Sequence, residues 1–288
     1  MRRATSSSSR DVPSQGYYNP LNNGGSMLDQ VPGTTPPGLG EPLNTIISGA
    51  SDAAVLVDAQ TNGGLRNYFL ALGFAGECLG QHQGALQSAN LGDGNGYLNE
   101  TAVIRWDYGD PQLGTCKETI EGGNHFRYWT QNGAAANSEL VGDAIHVTME
   151  FHLLNLPNSL DGHDIVVNGY NLGRDWLVGN ATQTTVPTAN LTTSSNFTGS
   201  ISSGGYTYKT SVNYVSGLLQ NTSIGVNHNT TVGVNGANAI DGLVAVLTVT
   251  ITQKPSNATT SAAWIPSPHP WTLPLALISF SLAFLYAL

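Results

Sequence analysis

Between residues 144 and 154 apolar and polar side chains alternate without a break. Ile145, Val147, Met149, Phe151 and Leu153 fall on one face of an extended chain, and His146, Thr148, Glu150 and His152 fall on the other. That two-residue period predicts a strand with one face on a core and a polar face toward solvent. The stretch 125–130 is predicted to pair with it, joined by the polar segment 131–138. Tyr206, Tyr208, Thr210, Val212 and Tyr214 repeat the period, and 243–251 adds a strand rich in Val and Thr, residue types that suit a pleated, half-buried surface. Three short helices are predicted. Ser51 and Asp52 can cap a short helix over 53–57, Leu65, Phe69 and Leu72 share one helical face over 65–74, and a third helix is predicted over 170–178. The pattern predicts a single α+β domain over 41–253, an antiparallel β-sheet with a few short helices. Residues 1–40, rich in Ser, Pro, Gly and Asn, are expected to be disordered.

The C-terminal end has a different pattern. Residues 254–270 read as a linker, and the eighteen residues of 271–288 carry no charge. As a helix they would reach about 27 Å, just enough for a bilayer core. A spanning helix is normally followed by Lys or Arg on its cytoplasmic side, whereas the last charged residue here is Lys254. Small residues, a polar spacer and a terminal apolar tail instead match a GPI-attachment signal. Ser256, Asn257 and Ser261 are the candidate attachment residues, which predicts membrane association through a GPI anchor or, failing that, through the hydrophobic tail itself. Asn-x-Ser/Thr acceptors stand at Asn99, Asn180, Asn190, Asn196, Asn221, Asn229 and Asn257, as expected of a secreted chain. The beginning, Met1-Arg2-Arg3-Ala4-Thr5 and then four serines and Arg10, has no apolar run of the kind a signal peptide needs. The secretory reading therefore expects an upstream start, and the alternative is a tail-anchored protein whose domain faces the cytosol.

Charged residues make up 10% of the chain, Lys occurs only at 117, 209 and 254, and the formal net charge is −9. An average soluble domain carries about 25%. No basic cluster is present to neutralise phosphates, which argues against nucleic-acid binding. The two cysteines, Cys78 and Cys116, are expected to form a disulfide in an oxidising compartment.

Candidate chemistry is sparse. With 125–129 extended, His125, Arg127 and Trp129 share a face near Glu121, an arrangement that suits an acid/base pair with an anion clamp or, more plainly, a solvated strand. His146, Glu150 and His152 share a strand face, where Glu150 and His152 are close enough to share a divalent metal. The run 93–96 begins like a calcium loop but lacks its repeating acids, and Asp107 with Asp110 could be a carboxylate pair. His163 with Asp175 could form an oriented base. There is no GxSxG, P-loop or HExxH, so the specific catalytic motifs are missing, and no cofactor is expected.

The blocks Glu77-Cys78-Leu79-Gly80, ANLGDGNG (89–96), WDYGDPQLGTC (106–116), GGNHFRYWTQNG (122–133) and GYNLGRD (169–175) resemble a family of fungal secreted proteins commonly predicted to be GPI-anchored. The resemblance covers most of 42–253 and the tail. It implies an extracellular setting on the plasma membrane or in the cell wall, implies no particular activity, and fits a bridge between Cys78 and Cys116. The leading expectation is a non-catalytic surface glycoprotein, with membrane and wall glycan as partners. The competing expectations are a secreted hydrolase working through His125, Arg127, His163 and Asp175, and the tail-anchored cytosolic protein.

Overall fold

The computed structural model describes residues 13–82, 84–133, 144–153, 165–233 and 236–256. Twelve strands are seen among them: β1 (Thr45–Ile47), β2 (Phe74–Gly76), β3 (Ser88–Asn90), β4 (Tyr97–Asn99), β5 (Ala102–Trp106), β6 (Gly122–Gln131), β7 (Ala144–Leu153), β8 (Asn196–Ser203), β9 (Tyr206–Val215), β10 (Asn221–Thr222), β11 (Ile240–Asp241) and β12 (Val244–Gln253). The helices are α1 (Leu65–Ala71), α2 (Gly114–Glu121), α3 (Gly169–Thr182) and the single turn α4 (Asn229–Val232). Eight strands form the main sheet in the order β2-β5-β6-β7-β1-β12-β9-β8. The expected α+β class is what the chain adopts, with one departure: β1 lies antiparallel to β7 but parallel to β12.

The alternating stretches become strands in the expected register. β6 pairs with β7 along its whole length, from Gly122 opposite Leu153 to Gln131 opposite Ala144. On one face Phe126, Tyr128, Ile145, Val147 and Met149 join Tyr208, Val212, Tyr214 and Leu247 in a core, closed by Tyr68 and Phe69 of α1 and by Leu177 and Val178 of α3. Aromatic edges fill it, with Phe69 lying 4.9 Å from Phe126 and 5.4 Å from Tyr128, both edge-on. Gly73 ends α1 in a left-handed turn (φ +84), where a Cβ would lie 2.4 Å from the Trp106 ring. Gly173 lets α3 approach the β7 backbone, since a Cβ there would already stand 3.3 Å from Glu150.

The other face is covered as well, and here the structure corrects the sequence reading. Packing starts upstream of residue 41. Tyr17 and Met27 are buried with Leu43, Ile46, Trp129 and Val246, alongside Leu219, Val226 and Ile240 from the segment before β12. Residues 13–31 are fastened by polar bonds as well. Gln131 Nε2 donates to the carbonyls of Tyr18 (2.9 Å) and Leu91 (2.7 Å), while its Oε1 accepts from Tyr18 N at 2.8 Å. A segment with few hydrophobic residues can therefore pack, because its backbone groups find partners. The face of β7 expected to meet solvent is consequently buried, with His146 and Thr148 at 0% exposure and Glu150 at 1%.

Two helix expectations change in extent. Residues 53–57 form successive three-residue turns, such as Val55 N to Asp52 O and Leu56 N to Ala53 O, rather than a helix. They plug the core with Val55 and Leu56, and five residues are too few to repay helix nucleation. The helix expected over 170–178 runs longer, from Gly169 to Thr182.

Cys78 and Cys116 are joined, tying the turn Cys78–Gly80 to α2 across 38 residues of sequence. Replacing both by serine is expected to cost about 3–4 kcal/mol, read as a lower urea midpoint with an unchanged far-ultraviolet spectrum. An unmoved midpoint would mean that packing already fixes this loop.

Candidate functional site

β6 alternates its side chains so that His125 and Arg127 point to the second face together, opposite Glu150 and Thr148 of β7 and beside Arg105 of β5. What they meet there is a closed chain of charges. Arg105 Nη1 donates to Glu118 Oε2 at 2.8 Å, and His125 Nδ1 lies 3.2 Å from Glu118 Oε1. The other His125 nitrogen lies 3.7 Å from Glu150. Arg127 Nη1 donates to both oxygens of Glu100, at 3.0 and 2.7 Å, and its Nε lies 4.0 Å from Glu41. His82 closes the circuit at the solvent edge, 2.8 Å from Glu77 and 3.7 Å from Glu100, while Glu77 lies 3.6 Å from Arg105. Apart from His82, the side chains of this ring are at most 10% exposed.

Carboxyls outnumber cations in this ring, and burial penalises each charge. Burial raises the pKa of Glu41 to about 8, helped by the neighbouring Glu150 and opposed by Arg127 and by a hydrogen bond from Gln87. Glu150 and Asp29 are also raised by burial, and Asp29 further by Glu41. Glu41 thus holds a proton at neutral pH and donates it toward Glu150. Burial alone would lower the Arg127 pKa, but Glu41, Glu150 and Glu100 more than reverse this and keep the guanidinium charged. Burial pushes Glu118 up, against Arg105. Next to the ring, both nitrogens of His146 lack a hydrogen-bond partner among the described residues. Burial lowers its pKa to about 3, so it stays neutral.

A cavity of about 270 Å³ opens beside Glu41, Gln87 and Arg127, with Val31, Thr34, Ala85, Asn227 and His228 around it. Two larger hollows, of about 420 Å³ beside Phe74 and 530 Å³ beside Trp176, lie elsewhere on the domain.

Of the residues singled out in the sequence, His125 and Arg127 come together here, but the carboxylate against His125 is Glu118. Glu121 is half exposed and pairs with Lys117 at 3.5 Å. Asp175 belongs to another group. It holds the guanidinium of Arg174 through both oxygens (2.7 and 3.0 Å), and Asp241 does the same (2.7 and 2.8 Å). Leu243 O accepts a further bond from Arg174 Nη1, and Tyr214 Oη donates to Asp175 at 2.7 Å. Arg174 is 0% exposed, so this is a clamp joining α3 to β11 and β9. His163 lies outside the described residues.

Glu150 belongs to the ring, and His152 is placed by its backbone pairing with Gly123. No group of three His, Cys, Asp or Glu side chains among the described residues is arranged to hold a metal ion. Asp93 accepts backbone N–H groups from Asn95 and Asn132, and Asp107 and Asp110 accept from Gly109, Gln112 and Leu113. All three shape turns.

Sequence reasoning missed Glu41, Glu100, Gln87, Arg105 and Asp29. Their only signal is scarcity: in a chain this poor in charge, a charged residue beside an apolar strand is worth suspecting of burial. The chain matches no family model, no curated protein and no solved structure.

Two outcomes follow from these groups. Glu41 keeps its proton up to about pH 8 in the fold but loses it near 4.5 when unfolded, so stability falls as pH rises between those values. His146 stays neutral down to about 3 in the fold but takes up a proton near 6.5 when unfolded, so stability falls as pH drops between those values. Thermal melting against pH should peak in mild acid, with Glu41→Gln flattening the alkaline limb and His146→Leu making the acid limb shallower. Arg174→Leu, which leaves Asp175 and Asp241 facing each other, is expected to cost about 3–5 kcal/mol by denaturant titration.

Proposed function

We propose that this domain is the extracellular part of an N-glycosylated surface protein, GPI-anchored to the plasma membrane or wall, whose role is structural or adhesive rather than catalytic. The observation that carries the reading is the Cys78–Cys116 bridge, since structural disulfides persist in oxidising compartments and are rare in the cytosol. Exposure of the acceptor asparagines supports it. Asn99, Asn190, Asn196 and Asn221 are exposed. Asn180 and Asn229 are half-buried and donate their side-chain amides to the carbonyls of Leu72 (3.1 Å) and Ser223 (3.2 Å). β12 ends at Gln253, three residues before Ser256, so the candidate anchor residues begin where the last strand stops. Asn257 and Ser261 lie outside the described residues. The resemblance of the five sequence blocks to fungal secreted proteins agrees with this setting.

The non-catalytic part of the reading rests on how the charged groups are engaged. Arg174 and Asp175 bind each other, and His125 is held between Glu118 and Glu150. Glycoside hydrolysis needs two carboxyls separated by at least about 5 Å, whereas Glu41 and Glu150 hydrogen-bond to one another.

The test is intact mass and glycopeptide mapping of the native membrane-bound protein, before and after phosphatidylinositol-specific phospholipase C and N-glycosidase. Release by the lipase is expected, with glycans on Asn99, Asn190, Asn196 and Asn221, and Asn180 and Asn229 bare in the folded material. A bare protein that stays on the membrane with Leu288 intact would overturn the proposal in favour of a tail-anchored, cytosol-facing chain.

A further inference from the structure

The cavity beside Glu41 is lined by groups that the fold leaves half used. Gln87 is 3% exposed, and its Oε1 accepts no hydrogen bond from any described residue. Arg127 is 8% exposed; its Nη1 is bound to Glu100, but its Nε donates no hydrogen bond among the described residues. Glu41 accepts from Asn227 Nδ2 at 3.2 Å and lines the same wall. Buried polar atoms nearly always find partners. Both atoms have under 1 Å² of accessible surface, and they belong to residues that line an open hollow. An acceptor and a donor left over there point to a ligand that supplies both kinds of group once the two side chains turn toward it.

We propose that this hollow is a binding site for one ring of a neutral saccharide. A hydroxyl both donates and accepts, so neighbouring hydroxyls can meet the Gln87 carbonyl and the Arg127 Nε–H together. A charged ligand fits worse. An anion would face Glu41, Glu100 and Glu150 behind an arginine already paired, and a cation would face that arginine. Protonation of Glu41 at neutral pH keeps its part of the floor uncharged. The walls supply Val31, Pro32 and Ala85 for the C–H faces of a ring, with the imidazole of His228 among the lining groups. A volume of about 270 Å³ is at the low end of small-molecule sites, which run to about 300–1,000 Å³, and suits a single pyranose with its chain continuing into solvent. This site does not depend on the anchor or on the glycans attached to the chain.

The test is calorimetry and saturation-transfer NMR on the detergent-solubilised full chain after enzymatic removal of its own glycans. The probes are glucose, mannose, N-acetylglucosamine and their tetramers, with glucuronate and glucosamine as charged counterparts. At least one neutral sugar is expected to bind at neutral pH, ten-fold or more tightly than either charged probe. Ala85→Trp and Pro32→Trp, both at exposed positions lining the hollow, place bulk in it and should each abolish binding with the melting temperature kept. Gln87→Leu should weaken binding by about ten-fold, the worth of one hydrogen bond to a buried group. The proposal is overturned if no neutral sugar binds, if a charged probe binds as well, or if binding survives whichever tryptophan variants fold. Failure here leaves the lipase and glycan results untouched, so the two readings can fall separately.

Discussion

Arg127 is the residue on which the second face of the sheet depends. It stands on a central strand with Glu100 against its Nη1 and Glu41 4.0 Å from its Nε. Without it, Glu41, Glu100 and Glu150 would be left with only His125 beside Glu150, His82 beside Glu100 and the more distant Arg105 to offset their charge. Buried charge is tolerated when it is paired and bonded, and becomes costly when one partner is removed. The shared proton between Glu41 and Glu150 is the second half of the same solution: where cations run out, a carboxyl goes neutral. Much else follows from keeping this ring dry. The chain before β1 must fold back over the sheet, as Asp29 N donates to Glu41 O and Asp29 Oδ1 accepts from Glu41 N. Glu77 and Glu118 must also be held in place, and each lies within two residues of a bridged cysteine.

The scarcity of charge in the sequence thus has a structural meaning. Of the described arginines, Arg105, Arg127 and Arg174 are buried, and only Arg66 keeps substantial exposure. Arginine suits this use because its planar fork stays charged and binds carboxylates through two atoms at once. Arg174 shows the pattern in its most complete form, since it is held by two aspartates and a carbonyl while lying 5.2 Å over the Tyr214 ring. In both groups an arginine joins residues far apart in the chain: Arg127 to Glu41 and Glu100, Arg174 to Asp241. Charge that would ordinarily lend solubility is used to fasten the fold, which leaves the surface to Ser, Thr, Asn and Gly.

Elements defined by their own periodicity were legible in advance. β7, β9 and β12 alternate, α1 repeats at helical spacing, and the β6–β7 pairing follows from adjacency. The parallel contact of β1 with β12 joins residues 45–47 to 245–247, and no local pattern can announce it. The polar face of β7 shows a different limit. Alternation reports which side chains lie together, but it does not report what covers them. Here the cover comes from 13–44 and 219–240, whose apolar residues are too thinly spread to look like core. Arg174-Asp175 was visible as a pair, yet its partner Asp241 lies 67 residues away, so a clamp looked like a candidate base.

The same geometry decides between chemistry and recognition at the Glu41 hollow. A carboxyl that donates its proton to a neighbouring carboxyl is held in one orientation, and Glu150 is 1% exposed behind it. To act on a bond in the hollow, Glu41 would have to release that proton toward the ligand, leaving two buried carboxylates in contact beside an arginine already bound to Glu100. Such a state is the one the ring is built to avoid. Binding makes no such demand. It needs only a turn of the Gln87 and Arg127 side chains, whose Oε1 and Nε–H have no hydrogen-bond partner among the described residues, changes no charge, and leaves the proton between Glu41 and Glu150 where it is.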